Sequence, residues 1–256
     1  MTSSVDIMGC RFDAITEAET RDLIFAWRDD PERKTHTIIT VNVAILMMMR
    51  DDPKLTEAVE KADLVVVDGT PLVWTAKWLA KPVPEKVSGV DLMQQLLEVG
   101  EKDGKPLRVF LLGTTQERLD KLCDVIRDRY PKVVIAGARN GYFKAPDWPD
   151  VTKMIRESNA DVLFVGMPCP FKEVWCERHR EELATPAVIG VGGAFDVLGG
   201  FVQRAPVIMQ KAGMEWFWRM MMEPRKLFKR YLVTNSQFMA LLAKALVTGR
   251  VLKRAD

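Results

Sequence analysis

Histidine is nearly absent from this chain: His36 and His179 are the only two in 256 residues, and no H-E-x-x-H pattern contains them. Cysteine is scarce as well, with Cys10, Cys123, Cys169 and Cys176 scattered and without C-x-x-C spacing. Neither a zinc site nor a disulfide framework is indicated, and a reducing cytoplasm fits. No two aspartates are separated by a single residue, so the D-x-D clamp with which many nucleotide-sugar enzymes hold a metal is missing. Metal-dependent chemistry is disfavoured and no cofactor is expected. The opening MTSSVDIMGCRFD lacks the basic-then-apolar pattern of a secretory signal, and no window approaches the roughly 20 uncharged apolar residues of a membrane span. The expectation is a chain neither exported nor spanning.

Several familiar motifs are also missing. The nearest approach to G-x-G-x-x-G, at 190–195, ends on Phe195, and no acid follows at a distance of about 20 residues. That argues against a nicotinamide-dependent dehydrogenase. Gly100 to Lys105 lacks the spacing and the Ser/Thr of a P-loop, and no G-x-S-x-G elbow occurs. Nucleotide hydrolysis and ester hydrolysis lose support.

What is present is ordinary globular composition, 48% hydrophobic and 28% charged, in enough length for one large domain plus an appendage. Short β-branched runs recur at 37–41, 64–67, 107–112, 132–135, 161–165 and 187–191. Between them, 91–102 and 115–129 carry apolar residues at helical spacing, and the proline-rich stretches 81–86 and 144–150 read as loops. This alternation predicts an α/β fold, Rossmann-like parallel sheet layers flanked by helices, over residues 1–205. After Arg204-Ala205-Pro206 the strand signals stop and helical patterns follow at 214–222, 223–232 and 237–247. Charge changes at the same place. Residues 204–256 hold eleven Lys/Arg against three acids, while the remainder is net acidic. Leu227, Phe228, Tyr231 and Leu232 fall on one helical stripe beside Lys226, Lys229 and Arg230, so 206–256 reads as a basic amphipathic, membrane-associating appendage. Packing on the domain or on a second subunit is the alternative, because an apolar stripe serves a membrane, a partner or a self-interface equally well.

In open α/β sheets ligands lie beyond the carboxyl ends of the strands. Those ends here are Thr40 and Asn42, Asp68-Gly69, Gly113-Thr114, Gly166-Met167-Pro168 and Gly190-Val191-Gly192-Gly193. Thr114 and Glu117 have capping-box spacing, and such a helix start offers N–H groups to a phosphate. Asp68, at the mouth of a buried strand, is either a general base of raised proton affinity or a cap for the helix beginning near Pro71. Asp196, after a glycine-rich turn, either bonds nucleoside polar atoms or caps the following turn. Arg225, in Glu223-Pro224-Arg225, either brings a cation to the site or marks a helix corner.

Taken in order, Thr40-x-Asn42, Asp68-Gly69, Pro84-Glu85-Lys86-Val87-x-Gly89-x-Asp91-Leu92, Phe110-Leu111-Leu112-Gly113, Gly141-Tyr142-Phe143, Gly166-Met167-x-x-Pro170-x-x-Glu173 and Gly190-Val191-Gly192-Gly193-x-Phe195-Asp196 form a distinctive series. Arg204-Ala205-Pro206, Gly213-Met214-Glu215-Trp216, Glu223-Pro224-Arg225 and Arg230-Tyr231 continue it. The series, spanning about 37–235, resembles the WecG/TagA/CpsF glycosyltransferases. The resemblance implies an inverting, metal-independent hexosyltransferase that moves a sugar from a UDP-sugar to a polyprenyl-diphosphate-linked saccharide in surface polysaccharide assembly. It implies Asp68 as catalytic base with Thr40 beside it, and Lys86 where the family has arginine. Lysine keeps that charge but loses the bidentate fork. Phe171-Lys172 stands where the family usually has Lys-Gln, in a nucleotide-contacting segment. The implied substrate-binding set is Asn42, Gly69, Asp91, Gly113, Thr114, Tyr142, Gly166, Pro170, Lys172, Glu173, Gly192, Gly193, Asp196, Arg204 and Arg225. Without metal, the departing diphosphate needs backbone N–H groups and cations such as Lys86 or Arg204.

The expected partners are the UDP-sugar, the lipid-linked acceptor, an anionic membrane surface and a second copy of the chain, with no nucleic acid. The expected place is the cytoplasmic face of the cell membrane, bound peripherally. N-acetylmannosamine, glucose and related sugars are all compatible as cargo. A non-catalytic nucleotide-sugar-binding scaffold is the alternative reading.

Overall fold

A computed structural model describes residues 3–81 and 83–248. The chain opens with a hairpin that the sequence did not signal, β1 (Ser4–Ile7) paired antiparallel with β2 (Cys10–Asp13). Met8 and Gly9 both take positive φ, 54° and 84°, the two-residue turn whose twist suits hairpin strands. Then come α1 (Glu17–Asp29), β3 (His36–Val41), α2 (Val43–Met48), α3 (Pro53–Lys61), β4 (Leu64–Val67), α4 (Thr70–Trp78), α5 (Gly89–Lys102) and β5 (Arg108–Gly113). They are followed by α6 (Gln116–Arg129), β6 (Val134–Arg139), a 3-10 turn (Ala145–Asp147), α7 (Trp148–Glu157), β7 (Val162–Gly166), α8 (Phe171–Arg178), α9 (Arg180–Leu183) and β8 (Ala187–Gly190). The chain ends in helices: α10 (Ala194–Leu198), α11 (Val207–Lys211), α12 (Glu215–Met222) and α13 (Pro224–Thr248).

β3 to β8 form one six-stranded parallel sheet in the order β4-β3-β8-β7-β5-β6. Strand residues alternate between its two faces, and both faces are covered. Ile38, Leu64, Val66, Leu111, Phe164 and Ile189 join one cluster with Leu92, Leu96, Leu119 and Phe195 from α5, α6 and α10. On the opposite face, Ile39, Val41, Val65 and Val67 pack with the hairpin and with α2 to α4, while Leu112, Leu163 and Val165 pack with α7 and α8. Burial on both sides is why the strands read as unbroken apolar runs. The edge strand β6 lies a few residues later than its apolar run suggests. It pairs only with β5, across a register shift at Val109/Phe110, and is half exposed, so pairing rather than hydrophobicity sets its limits.

After β5 the chain turns outward to β6, whereas after β7 it turns the other way to β8. Connections that diverge in this way leave a crevice at the carboxyl ends of the strands. The helices after 206 pack beside it. The expected segments at 223–232 and 237–247 are one continuous helix, α13. Leu227, Thr234, Phe238, Leu242 and Ala245 are its buried stripe, and Phe238 and Leu242 join the cluster around α2. Phe228 and Leu232, read from sequence on the same stripe as Leu227, point outward instead. The last basic residues of the appendage, from Arg250 onward, lie outside the described residues.

The hairpin also covers the free edge of β4. Asp13 Oδ2 accepts a hydrogen bond from the Val65 N–H at 2.9 Å, satisfying an edge donor that has no neighbouring strand. Asp13→Ala leaves that buried N–H unpaired and is expected to cost about 1–3 kcal/mol, read as a lower urea midpoint at unchanged m-value. Asp13→Asn, which keeps an acceptor oxygen, should cost less.

Candidate functional site

The carboxyl ends of β3, β4, β5, β7 and β8 open on a single cleft of about 1180 Å³. Ligand pockets for one small molecule run to about 300–1,000 Å³, so this one has room for more than a single ligand. Its floor is built by the residues that leave the strands. Thr40, on β3, donates its hydroxyl to Gly190 O of β8 at 3.2 Å. Asn42 caps α2 by accepting from Ile45 N–H at 3.1 Å. Asp68 continues the β3–β4 ladder, its N–H donating to Val41 O at 2.9 Å, and this bond aims its side chain into the cleft. Gly69 then turns the chain at φ 117°, where a side chain would strain the backbone.

That turn decides between the two readings of Asp68. The cap position of α4 is Gly69 and no side chain caps the helix, so Asp68 is not a cap. Among the described residues its carboxylate makes no hydrogen bond and no ion pair. Burial by the cleft walls pushes its pKa from 3.8 to about 6; Lys86 pulls it down, while Glu215 and Asp91 add to the rise. A free carboxylate of this proton affinity is equipped to accept a proton near neutral pH.

The turn after β5 differs from expectation. Thr114 takes φ 50° and donates its N–H to Gly166 O at 3.3 Å, and the α6 cap is its neighbour Thr115, which accepts from Arg118 N–H. Gly113, just before this turn, packs closely on β7: a Cβ there would lie 2.5 Å from Gly166 O. Gly166 in turn admits the Phe195 ring, which a Cβ would meet at 2.5 Å. These close approaches bring the β5, β7 and β8 turns together in one floor.

Of the residues selected from sequence, Thr40, Asn42, Asp68, Gly69, Thr114, Tyr142, Gly166, Lys172, Gly192, Gly193, Asp196 and Arg204 line the cleft. The others do not. Lys86 and Asp91 stand behind the wall, ion-paired with Glu215 and Arg204, which do line it. Glu173 is buried beneath Lys172 and pairs with it. Gly113 supports the floor from behind, Pro170 precedes α8, and Arg225 is exposed on the first turn of α13.

Three arginines enter the cleft that sequence reading did not select: Arg118 from α6, Arg219 from α12 and Arg230 from α13. Arg118 pairs with Asp196 at 2.6 Å and lies over the Phe201 ring at 5.1 Å. Arg219 approaches the other oxygen of Asp196 at 3.9 Å, Glu223 at 3.2 Å and Gly193 O at 3.5 Å, and its Nε is buried without a partner. Asp196 is therefore an anchor for two cations rather than a helix cap. Arg230 stacks on Tyr231 at 5.2 Å and makes no ion pair among the described residues. Arg118 was legible only as a residue one turn into a helix; Arg230-Tyr231 stood in the landmark series without a role. These side chains bring to the cleft that Asp68 lines positive charge suited to phosphate oxygens.

Comparison with known proteins gives the family. The family model for the glycosyl transferase WecG/TagA/CpsF family matches residues 5–251. Relatives from Staphylococcus aureus strains MW2, NCTC 8325 / PS 47 and COL are each 30% identical over 244 residues, covering 95% of this chain and 94% of the relative. Each bears the name N-acetylglucosaminyldiphosphoundecaprenol N-acetyl-beta-D-mannosaminyltransferase.

A carboxylate whose folded pKa exceeds its unfolded value weakens the fold wherever it is ionised. For Asp68 the penalty is absent below pH about 4, grows to pH about 6 and stays constant above, reaching up to about 3 kcal/mol. Asp68→Asn is expected to unfold at higher denaturant than the native protein at pH 7.5, with the gap closing by pH about 4. Equal stability at both pH values would show that Asp68 is freely solvated.

Proposed function

The chain belongs to the WecG/TagA/CpsF glycosyltransferases, and we propose that it transfers a hexose with inversion from a UDP-sugar to a polyprenyl-diphosphate-linked saccharide, without metal. The observation that carries this reading is the unpaired Asp68 carboxylate, of pKa about 6, in a cleft with several cations in its walls. In the proposed step Asp68 takes the proton from an acceptor hydroxyl while that oxygen attacks the anomeric carbon of the donor. The bond from that carbon to the diphosphate oxygen breaks on the opposite side, and UDP departs with the electron pair. One base on one face of the sugar yields inversion. Arg118, Arg219, Arg230, Lys172 and the N–H groups at the start of α6 are positioned to hold the charge of the diphosphates, which supports a metal-independent route. N-acetylmannosamine, the sugar in the relatives' name, is the first donor to test. Membership of a transferase family sets aside the scaffold reading that Lys86 and Phe171-Lys172 had prompted.

The acceptor's lipid keeps it in the bilayer, so the enzyme is proposed to bind the cytoplasmic membrane face peripherally. No helix among the described residues is long and apolar enough to cross a membrane. Phe228 and Leu232 are exposed on α13, beside Lys229 and Arg230, the composition of an interfacial helix.

Asp68→Asn is expected to retain UDP-sugar binding and to lose about 10²–10⁴-fold in transfer of labelled sugar to membrane extract. Because the ionised base is the active form, the native rate should fall tenfold per pH unit below about 6 and be flat above. Undiminished transfer by Asp68→Asn would remove it as the base. Phe228→Asp with Leu232→Asp should cut co-sedimentation with anionic vesicles; unchanged binding would count against a membrane role for this stripe.

A further inference from the structure

One wall of the cleft has no use in the step just described. It is formed by Val43 and Met48 of α2, Leu227, Phe238 and Met239 of α13, and Cys169, where the two helices pack together. α2, with the sequence VAILMM, carries no charged residue and is apolar all round. Such helices are normally enclosed on every side, yet Val43 and Met48 are left facing the cleft. The wall begins beside the base. Val41, which precedes α2 by two residues, pairs with Val67 and accepts the Asp68 N–H, so α2 leads away from the site of proton transfer. At its far end the wall reaches Met239, 60% exposed, which continues at helical spacing the outer apolar stripe of Phe228 (54%) and Leu232 (57%).

We infer that this α2–α13 wall binds the first isoprenoid units of the acceptor, between the diphosphate and the bilayer. The inference rests on the proposed acceptor and goes beyond it by assigning the lipid its own subsite. Sugars and nucleotides present hydroxyls and ring nitrogens that need polar partners, and this wall supplies few. An isoprenoid chain needs none. It is covalently tied through its diphosphate to the reacting saccharide, so while the sugar lies at Asp68 the lipid must leave through adjoining space. Arg230, which makes no ion pair among the described residues, stands beside the route, so a cation suited to phosphate and apolar surface follow one another along one path. Methionine on both helices gives a surface that adapts to a branched, repeating chain. A phospholipid acyl chain has similar chemistry but no tether to the site.

The test compares two water-soluble acceptors with the same saccharide and diphosphate, one ending in a three-unit isoprenoid and the other in a methyl group. The native enzyme should show a KM at least about tenfold lower for the isoprenoid acceptor, equivalent to about 1.4 kcal/mol. In Met48→Gln and Met239→Gln that advantage should shrink to under about threefold, with kcat and the KM for UDP-sugar unchanged. An advantage that persists in both variants, or equal weakening of both acceptors, overturns the subsite. A second readout does not depend on turnover. Trp216 and Trp218 line the cleft, so their fluorescence should respond saturably to a three-isoprene diphosphate, more tightly than to inorganic diphosphate, and less tightly in the variants. No preference over inorganic diphosphate overturns the subsite, as does equal competition by short-chain phospholipid. Absence of transfer to any acceptor with this binding preference intact overturns the proposed reaction and leaves the subsite standing.

Discussion

An ionisable group withdrawn from water needs compensation, and for the half-buried Asp68 at the end of β4 the described residues supply only part of it, through the charge of Lys86. Asp68 is half-buried among the cleft walls, without a hydrogen bond or ion pair among the described residues, and its proton affinity rises accordingly. In the proposed reaction the energy withheld from the fold there is available to chemistry, because the same carboxylate gains most when a substrate hydroxyl offers it a proton. Much of the surrounding architecture holds this one group in place. The ladder bond to Val41 sets its height, Gly69 turns the chain away before a cap can form, and the parallel sheet keeps its neighbours at the same level.

The positive charges lining the cleft come from widely separated elements. Arg118 belongs to α6, Lys172 to α8, and Arg219 and Arg230 to the last two helices. Acids hold most of them. Asp196 holds Arg118 and lies near Arg219, Glu173 holds Lys172, and Asp91 holds Arg204. Pairing lowers the rotational freedom of long side chains, so less is lost when a diphosphate arrives. Lys86 is part of the same arrangement one layer back. Its ion pair with Glu215 joins the loop before α5 to α12, and both charges act on Asp68 with opposite sign. Replacement of the family arginine by lysine is compatible with that placement, since a single carboxylate partner needs no fork.

The C-terminal helices are both wall and surface. α13 buries Phe238 and Leu242 against α2 and turns Phe228 and Leu232 outward. One helix thereby closes the cleft on its inner side and presents apolar area on its outer side. The proposed reaction, with an acceptor held in a bilayer, needs both, because the reacting hydroxyl must reach Asp68 while the lipid remains near the membrane.

Local signals determined the sheet and the level of the site. Strands buried on both faces must be apolar along their whole length, so six runs could be read directly, and residues leaving their carboxyl ends had to meet at one edge. The hairpin escaped because four-residue strands such as SVDI and CRFD carry too little pattern and are stabilised by what they cover. That Asp68 does not cap α4 was decided next door, at Gly69, whereas the pairing of Asp196 with arginines depended on partners far away in the chain. The same holds for Arg118 and Arg219, whose meeting at Asp196 joins α6 to α12 across a distance no local pattern spans. Sequence decides which residues are apolar and where the chain turns; only packing decides which charges are brought together and which, among the described residues, are left without a partner.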